Sequence, residues 1–159
     1  MVYNSTVKSI HRRYLLKSHH IEGVYDHSFT LKSRIRMKLS ANLSFMFTEH
    51  STMVERYKAA KSAGFSAVEC AFPYNEDLDT LAQALSDNGL DQVLLNTVPG
   101  DNLGYGARKG EEDLFLASMK TSLEYCKGLG VKKLHIMAGK RVDGVDKREA
   151  MEIFKNNLM

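Results

Sequence analysis

Apolar and polar residues alternate in blocks from residue 37 to the end of the chain. Short apolar runs read KLSANLSF, FSAVECAF, QVLLN and KKLHIMAG, at residues 38–45, 65–72, 92–96 and 132–139. Runs of this length between turn residues are typical of buried strands. Each run is followed by a longer polar segment in which apolar residues recur at helical spacing. The pattern therefore predicts four strands that alternate with four helices.

The first predicted helix covers residues 52–64 and has signals at both ends. Thr52 and Glu55 have the spacing of a capping box, in which each side chain bonds the other residue's backbone N–H. Gly64 follows the last turn and is a typical helix terminator. The residues expected on the buried face are Val54, Tyr57 and Ala60.

The other three helices are predicted over residues 77–89, 111–130 and 147–159. Gly89 is expected to end the second helix. The apolar faces should contain Leu78, Leu81 and Leu85 in the second helix, Leu116, Met119, Leu123 and Cys126 in the third, and Ala150, Ile153 and Phe154 in the fourth.

Strict alternation of strands and helices predicts an α/β fold with a parallel sheet. A doubly wound sheet that binds dinucleotides would have a glycine-rich turn after its first strand, and NLSFMFTEHST contains no glycine. The sequence GYGARKG at residues 104–110 follows the third strand and is not that fingerprint. Four units in 123 residues instead predict the first four units of a TIM (β/α)₈ barrel, truncated during the fourth helix.

The positive net charge is concentrated in residues 1–36. This leader contains seven Lys and Arg against two acidic residues, whereas the remainder contains 15 basic and 17 acidic residues. The predicted domain, residues 37–159, is therefore slightly acidic, which disfavours nucleic acid as a partner. The leader is interpreted as an upstream extension of a protein that starts naturally at Met37, as a disordered tail, or as a transit-type presequence.

The lack of long apolar runs and the two isolated cysteines indicate the cellular compartment. No apolar run approaches the roughly 20 residues that span a bilayer, so no membrane partner is predicted. Cys70 and Cys126 lie far apart and form neither a disulfide framework nor a zinc motif, so a reducing compartment is favoured. We predict a cytoplasmic protein, or a mitochondrial one if the leader is a transit peptide.

The order of SANLSFMF, GFSAVECAFPY, LLNTVPGD and LHIMAGK resembles the hydroxypyruvate isomerase family of xylose isomerase-like TIM barrels. In that family the first strand reads close to R-F-S-A-N-L-S-x-L-F, the second G-F-x-x-V-E-x-x-x-P-Y, and the third ends in N-x-P-x-G-D. The resemblance covers residues 37–159 and implies conversion of hydroxypyruvate into tartronate semialdehyde through an enediol. The loop after Asp101 looks several residues shorter than in the family. How this loop covers the active site is therefore not predicted.

The resemblance also implies where the reactive groups lie. The glutamates that move the proton and the metal-binding carboxylates of such isomerases belong to strands of the second half of the barrel. No catalytic residue and no metal ligand is therefore assigned in this chain. A divalent metal such as Mg²⁺ is expected in a full-length protein, and none is expected to bind this chain alone.

Four side chains are predicted to bind the substrate, a small hydroxy-keto acid, because they lie at strand ends that face a barrel's active site. Asn42 and Asn96 would bond substrate oxygens, or only fix their own loops. Glu69 would bind substrate or orient a metal ligand, or form an ion pair inside the barrel. His135 would point inward and donate to the substrate, or point outward and pack under a helix.

The loop after the third predicted strand contributes further candidates. Arg108 or Lys109 would bind a substrate carboxylate, although a solvated loop charge is the alternative interpretation. Neither side chain belongs to the four predicted substrate-binding residues.

Three functional hypotheses remain open at this point. The chain represents part of an isomerase and is inactive by itself, or it is a non-catalytic half-barrel that acts as an interaction module. A third hypothesis keeps the barrel with another sugar isomerase or epimerase reaction, because fold alone does not fix chemistry. A parallel sheet with two open edges also predicts a homo-oligomer formed through those edges.

Overall fold

The structure is a computed structural model that describes residues 38–159. The three interpretations of the leader concern residues outside this range and stay predictions, as does the domain start at Met37. The described elements are β1 (Ser40–Asn42), α1 (Met53–Ser62), β2 (Ala67–Glu69), α2 (Leu78–Asn88), β3 (Asp91–Asn96), α3 (Glu112–Gly128), β4 (Leu134–His135) and α4 (Lys147–Leu158). A short 3₁₀ turn, Gly100–Asn102, follows β3. The alternation of four strands and four helices is confirmed.

The four strands form one parallel sheet in the order β1-β2-β3-β4. Asn42 is paired with Glu69, and Asn96 is paired with His135. The register shifts between Val68 and Glu69, so that Glu69 lies opposite Leu94. Sequential parallel pairing of this kind is the arrangement of consecutive units in a TIM barrel, and the predicted fold class is confirmed.

The predicted helix ends of α1 and α2 are confirmed. Thr52 caps α1, and both hydrogen bonds of the capping box with Glu55 are present. Asp77 caps α2 by accepting from the backbone N–H of Thr80 at 2.9 Å. Gly89 ends α2 with φ +54°, a left-handed conformation that glycine adopts without steric cost.

The core lies between the sheet and helices α1 to α3. The sheet contributes Ala41, Val68 and Leu95, each fully buried, and α1 contributes Tyr57 and Ala60. Leu81 and Leu85 of α2 and Cys126 of α3 belong to the same cluster, while Leu78 is half-buried against it. The residues that directly follow them, Asn42, Glu69 and Asn96, are only half-buried and project to the other face, so the helices cover one face of the sheet.

The predicted apolar face of α3 is partly wrong: Cys126 is buried and Met119 is half-buried, as expected, but the two leucines are not. Leu116 and Leu123 are 63% and 54% exposed, and the buried residues of this helix are Phe115, Ser118, Ser122 and Cys126. The buried hydroxyls keep partners, because Ser122 donates to the carbonyl of Ser118 and accepts from the N–H of Val98. Serines whose hydroxyls have hydrogen-bond partners can therefore occupy the helix face that packs on the sheet. As a result, the buried face of α3 differs from the face that hydrophobicity alone predicts.

Helix α4 is present where it was predicted, and its apolar residues Ala150, Ile153 and Phe154 are half-buried. The aromatic ring of Phe154 lies against Gly106, at a position where a Cβ would be 2.7 Å from the ring. The helix thus packs on the loop that follows β3. Within residues 38–159, no helix combines the length and apolarity needed to cross a membrane.

Candidate functional site

The four predicted substrate-binding residues lie on one face of the sheet, near the carboxyl ends of the strands. Asn42 pairs with Glu69, and Glu69 lies opposite Leu94. Leu94 and Asn96 are two residues apart on β3 and so project to the same side, and Asn96 pairs with His135. The helices cover the opposite face. We call this set of four residues the polar face.

Asn42 and Glu69 are joined by a hydrogen bond across β1 and β2. The Asn42 amide Nδ2 donates to Glu69 Oε1 at 2.9 Å. Asn42 Oδ1 accepts from the backbone N–H of Ser44 at 3.0 Å. The asparagine therefore orients the Glu69 carboxylate and fixes its own loop. Its bonding to substrate oxygens stays a prediction. Glu69 is half-buried and has no cation partner among the ion pairs of the described residues.

Asn96 and His135 form the second pair, across β3 and β4. The His135 Nδ1 lies 3.2 Å from Asn96 Oδ1. An amide oxygen only accepts, so the contact is a hydrogen bond when the ring proton is on Nδ1; in that tautomer Nε2 is the acceptor. His135 is exposed and does not pack under a helix, so the outward alternative is wrong. Its role in binding substrate stays a prediction.

Two side chains that the sequence analysis did not select hold the Asn96 segment in place. The hydroxyl of Tyr74 donates to the backbone carbonyl of Asn96, and burial raises the pKa of Tyr74 to about 12. Thr97 Oγ1 accepts from the backbone N–H of Met137 at 3.0 Å, which links the ends of β3 and β4. Tyr74 belongs to the ECAFPY segment, but its contact with β3 has no sequence signal. Thr97 could have been found, since it directly follows Asn96.

The two candidate cations of the loop are both paired with carboxylates of this chain. Arg108 bonds Glu111 through Nε at 2.5 Å and Nη2 at 2.7 Å, and its third nitrogen, Nη1, donates to the carbonyl of Lys140 at 2.6 Å. This pairing raises the pKa of Arg108 and lowers the pKa of Glu111. Lys109 pairs with Glu149 at 2.7 Å, and both side chains are largely exposed. Neither cation is directed at the polar face by these contacts.

The described residues do not form a divalent metal site. Residues 38–159 contain no cluster of three or more His, Cys, Asp and Glu side chains with metal-binding geometry. The polar face supplies a single carboxylate, whereas Mg²⁺ prefers several oxygen ligands in an octahedron. Cys70 and Cys126 are buried thiols, and burial raises the pKa of Cys70 to about 12. A thiol of that kind is a poor nucleophile.

A comparison with known families matches residues 57–159 to the family described as Xylose isomerase-like TIM barrel. The chain belongs to this family. Over 130 residues it is 41% identical to the human protein named "Putative hydroxypyruvate isomerase", a match that covers 77% of this chain and 47% of the human protein. Over 125 residues it is 36% identical to 2-oxo-tetronate isomerase of Cupriavidus necator, covering 76% of this chain and 48% of that protein.

Solved structures agree with this assignment. A Brucella melitensis protein, titled AP endonuclease, family 2, superposes with a TM-score of 0.71 at 38% identity, covering 76% of this chain and 47% of that one. The chain spans about half the length of the curated relatives it matches. The resemblance to hydroxypyruvate isomerases stated from the motifs is confirmed, and the family match extends from α1 to the end of α4.

Proposed function

We propose that the polar face binds a small hydroxy-keto acid, and that the chain contributes this face to an isomerase that interconverts hydroxypyruvate and tartronate semialdehyde. One observation carries the proposal: four hydrogen-bonding side chains share the uncovered face of a parallel sheet at its carboxyl end. Active sites of TIM barrels lie at that end of the strands. The similarity to proteins named for isomerase activity supports the reaction class.

The side chains suit an aldose–ketose shift. In this reaction a proton leaves one carbon, an enediol forms, and the proton returns to the neighbouring carbon. Donors are needed where the enediolate charge develops, and the Asn96 amide nitrogen can donate there. His135 Nε2, as an acceptor, can receive a hydrogen bond from a substrate hydroxyl. Glu69, which Asn42 holds in a fixed orientation, would position the substrate.

The proton transfer itself needs a carboxylate base next to the carbon that reacts. Glu69 is the single carboxylate of the polar face, and its Oε1 already accepts from Asn42. We therefore propose that the glutamates that move the proton come from the half of the barrel that this chain does not match. A divalent metal has no complete site among the described residues, and no step is assigned to one.

Ligand titration of the full chain tests the binding role. Hydroxypyruvate is titrated into the parent protein and into Asn42→Ala, Glu69→Gln and His135→Gln, and its dissociation constant is measured by calorimetry. Each variant loses a hydrogen bond to substrate or an oriented partner, so we expect about tenfold weaker binding, equal to roughly 1.4 kcal/mol.

The matched control is Ser40→Ala. Ser40 lies on the same face of β1 as Asn42, two residues nearer the amino end of the strand. It should bind like the parent. Binding that none of the three variants weakens would refute the assignment of the polar face.

An activity assay tests whether the proton-transfer residues lie outside this chain. The chain is incubated with hydroxypyruvate and Mg²⁺, and formation of tartronate semialdehyde is followed by NMR. We expect no turnover above the rate without protein, because the proton-transfer carboxylates are absent from the polar face. Turnover at a usual enzymatic rate, about 1–10³ s⁻¹, would show that this chain supplies its own base.

The substrate could also be an acid other than hydroxypyruvate, and the name of one relative favours a longer one. The Cupriavidus necator protein is named for a 2-oxo-tetronate, an acid one carbon longer than hydroxypyruvate. Titrating both acids in parallel distinguishes them, since the substrate should bind more tightly than the other acid.

A further inference from the structure

The loop of residues 102–111 is attached to residues 137–140, directly beyond β4. The backbone N–H groups of Gly106 and Ala107 donate to the carbonyls of Met137 and Ala138 at 3.1 and 2.7 Å. In the other direction, Lys140 N–H donates to Asn102 at 2.8 Å. These bonds place two adjacent strand–helix loops in a short antiparallel arrangement at the carboxyl end of the sheet.

The approach of the two loops is close enough to exclude side chains at two positions. A Cβ on Gly104 would collide with the backbone of Met137, and a Cβ on Gly139 would collide with the carbonyl of Gly104. The Gly139 Cβ would also lie 2.8 Å from Cδ of Arg108. The stem of Arg108 therefore packs directly on the backbone of residues 137–140.

The Arg108 guanidinium bonds to both of the attached segments. Two of its nitrogens bond Glu111 in a fork, and the third donates to the carbonyl of Lys140. The side chains of Arg108 and Glu111 are only 13% and 23% exposed. Glu111 is the N-cap residue of α3 but makes no capping bond with its side chain, because both of its oxygens contact Arg108.

Strand β4 connects the attached loops to His135 on the polar face. This strand has only two residues in the ladder, Leu134 and His135. Beyond it, Met137 is held by Thr97 through its N–H and by Gly106 through its carbonyl. The carbonyl of His135 accepts from the N–H of Thr97 at 2.9 Å. An edge strand this short depends on the contacts at its end for its position.

We infer that Arg108 and Glu111 are positioning residues: their ion pair fixes the loop of residues 102–111 on residues 137–140 and thereby holds the His135 ring against Asn96. The effect on substrate rests on the proposed function, but the effect on His135 does not. The chemistry needs arginine, because a lysine cannot make two parallel bonds to Glu111 and a third to Lys140.

The test compares Arg108→Lys and Glu111→Gln with Lys109→Gln in the full chain. The control removes the neighbouring ion pair with Glu149, in which both partners are largely exposed. Long-range ¹H–¹⁵N spectra report which nitrogen of His135 is protonated, and hydrogen exchange reports the amides of Gly106, Ala107 and Lys140. We expect at least tenfold faster exchange of these amides and a changed tautomer signature of His135 in both test variants, and neither change in the control.

Faster amide exchange with unchanged His135 signals would mean that the pair stabilises the loop alone, and would overturn the inference. Unchanged exchange would overturn it as well. Hydroxypyruvate affinity is measured on the same samples, and the test variants should bind at least threefold more weakly. If the parent does not bind hydroxypyruvate while the His135 signature changes as expected, the proposed function fails and the positioning role stands. Glu111→Gln keeps the number of non-hydrogen atoms and nearly the same shape, so it carries the test if Arg108→Lys does not fold.

Discussion

The two faces of the sheet differ sharply although they are built from alternate residues of the same strands. Ala41, Val68 and Leu95 project toward the helices and are fully buried. Their direct neighbours Asn42 and Asn96 project to the other face, where they meet Glu69 and His135. Burial of apolar area drives folding, whereas hydrogen bonds in partly exposed positions contribute little net stability. The comparison therefore assigns most of the stability to the helix-covered face, and the polar face is where we propose that the ligand binds.

The largest expected contrast lies within β3. Leu95→Ala removes a fully buried side chain, and the lost transfer energy and the cavity should lower the free energy of unfolding by about 2–5 kcal/mol. Asn96→Ala, one residue further, loses the contact with His135 and should cost roughly 1 kcal/mol or less. Urea unfolding followed by circular dichroism measures both. Equal losses would show that the two faces do not divide stability and function.

A buried polar contact on the helix-covered face gives a smaller effect. The Tyr57 hydroxyl donates to Gln92 Oε1 at 3.2 Å, and both residues are buried. Tyr57→Phe leaves the Gln92 oxygen without its donor, which should cost about 1–3 kcal/mol in the free energy of unfolding.

Tyr125→Phe is the matched control for Tyr57→Phe. The Tyr125 hydroxyl donates to the Glu76 carbonyl at 2.8 Å in a half-buried position, where water can replace it. Its loss should be the smaller of the two in the same urea titrations. The reverse order would mean that Gln92 finds another donor.

The sequence predicted the order of the elements and the helix ends better than the direction in which helix α3 faces. Short strands between helices are set by local patterns, and the capping box of Thr52 and Glu55 is a contact three residues apart, so both were found. The orientation of α3 was missed because Ser118 and Ser122 are satisfied by partners that a hydropathy pattern does not show.

The candidate site was only partly predictable for the same reason. Residue positions at strand ends identified Asn42, Glu69, Asn96 and His135, since a parallel sheet places such ends together. Which of them touch depends on register, and the bulge that sets Glu69 opposite Leu94 has no local signal. The pairing of Arg108 with Glu111 follows helix-like spacing, but the contact with Lys140 spans 32 residues and requires the fold.

A buried thiol on the helix-covered face should make the free energy of unfolding depend on pH in the alkaline range. Burial raises the pKa of Cys70, on the helix-covered side, from its ordinary value near 9 to about 12. The unfolded chain therefore loses this proton first, and the stability that the neutral thiol contributes is complete below pH 9 and declines as pH rises toward 12. We expect about 1 kcal/mol of decline between pH 9 and pH 10 that is absent from Cys70→Ala.

Chemical denaturation at several pH values measures this slope, and Cys126→Ala serves as the control that should retain most of it. Tyr57 and Tyr74 also have pKa values raised by burial and act in the same direction at higher pH. The comparison is therefore confined to pH 8–10 and to the difference between variants. A parent slope equal to that of Cys70→Ala would place the thiol in contact with water.

The smallest expected effect concerns the end of a helix that covers the apolar face. Thr52→Ala removes the hydroxyl that accepts from Glu55 N–H and donates to the Glu55 carboxylate, and should cost about 1 kcal/mol; the bond from the Thr52 backbone N–H to that carboxylate remains. The N–H and hydroxyl of Thr52 also lower the pKa of Glu55, so this contribution is present above the ordinary value of 4.5 and is lost as pH falls through the folded value. The difference between parent and Thr52→Ala should therefore shrink in acid. Ser62→Ala, at the other end of the same helix, should show neither the loss nor the pH dependence. A loss that persists unchanged at pH 2 would mean that it comes from the bond between the Thr52 hydroxyl and Glu55 N–H alone, and that the bond to the Glu55 carboxylate contributes nothing.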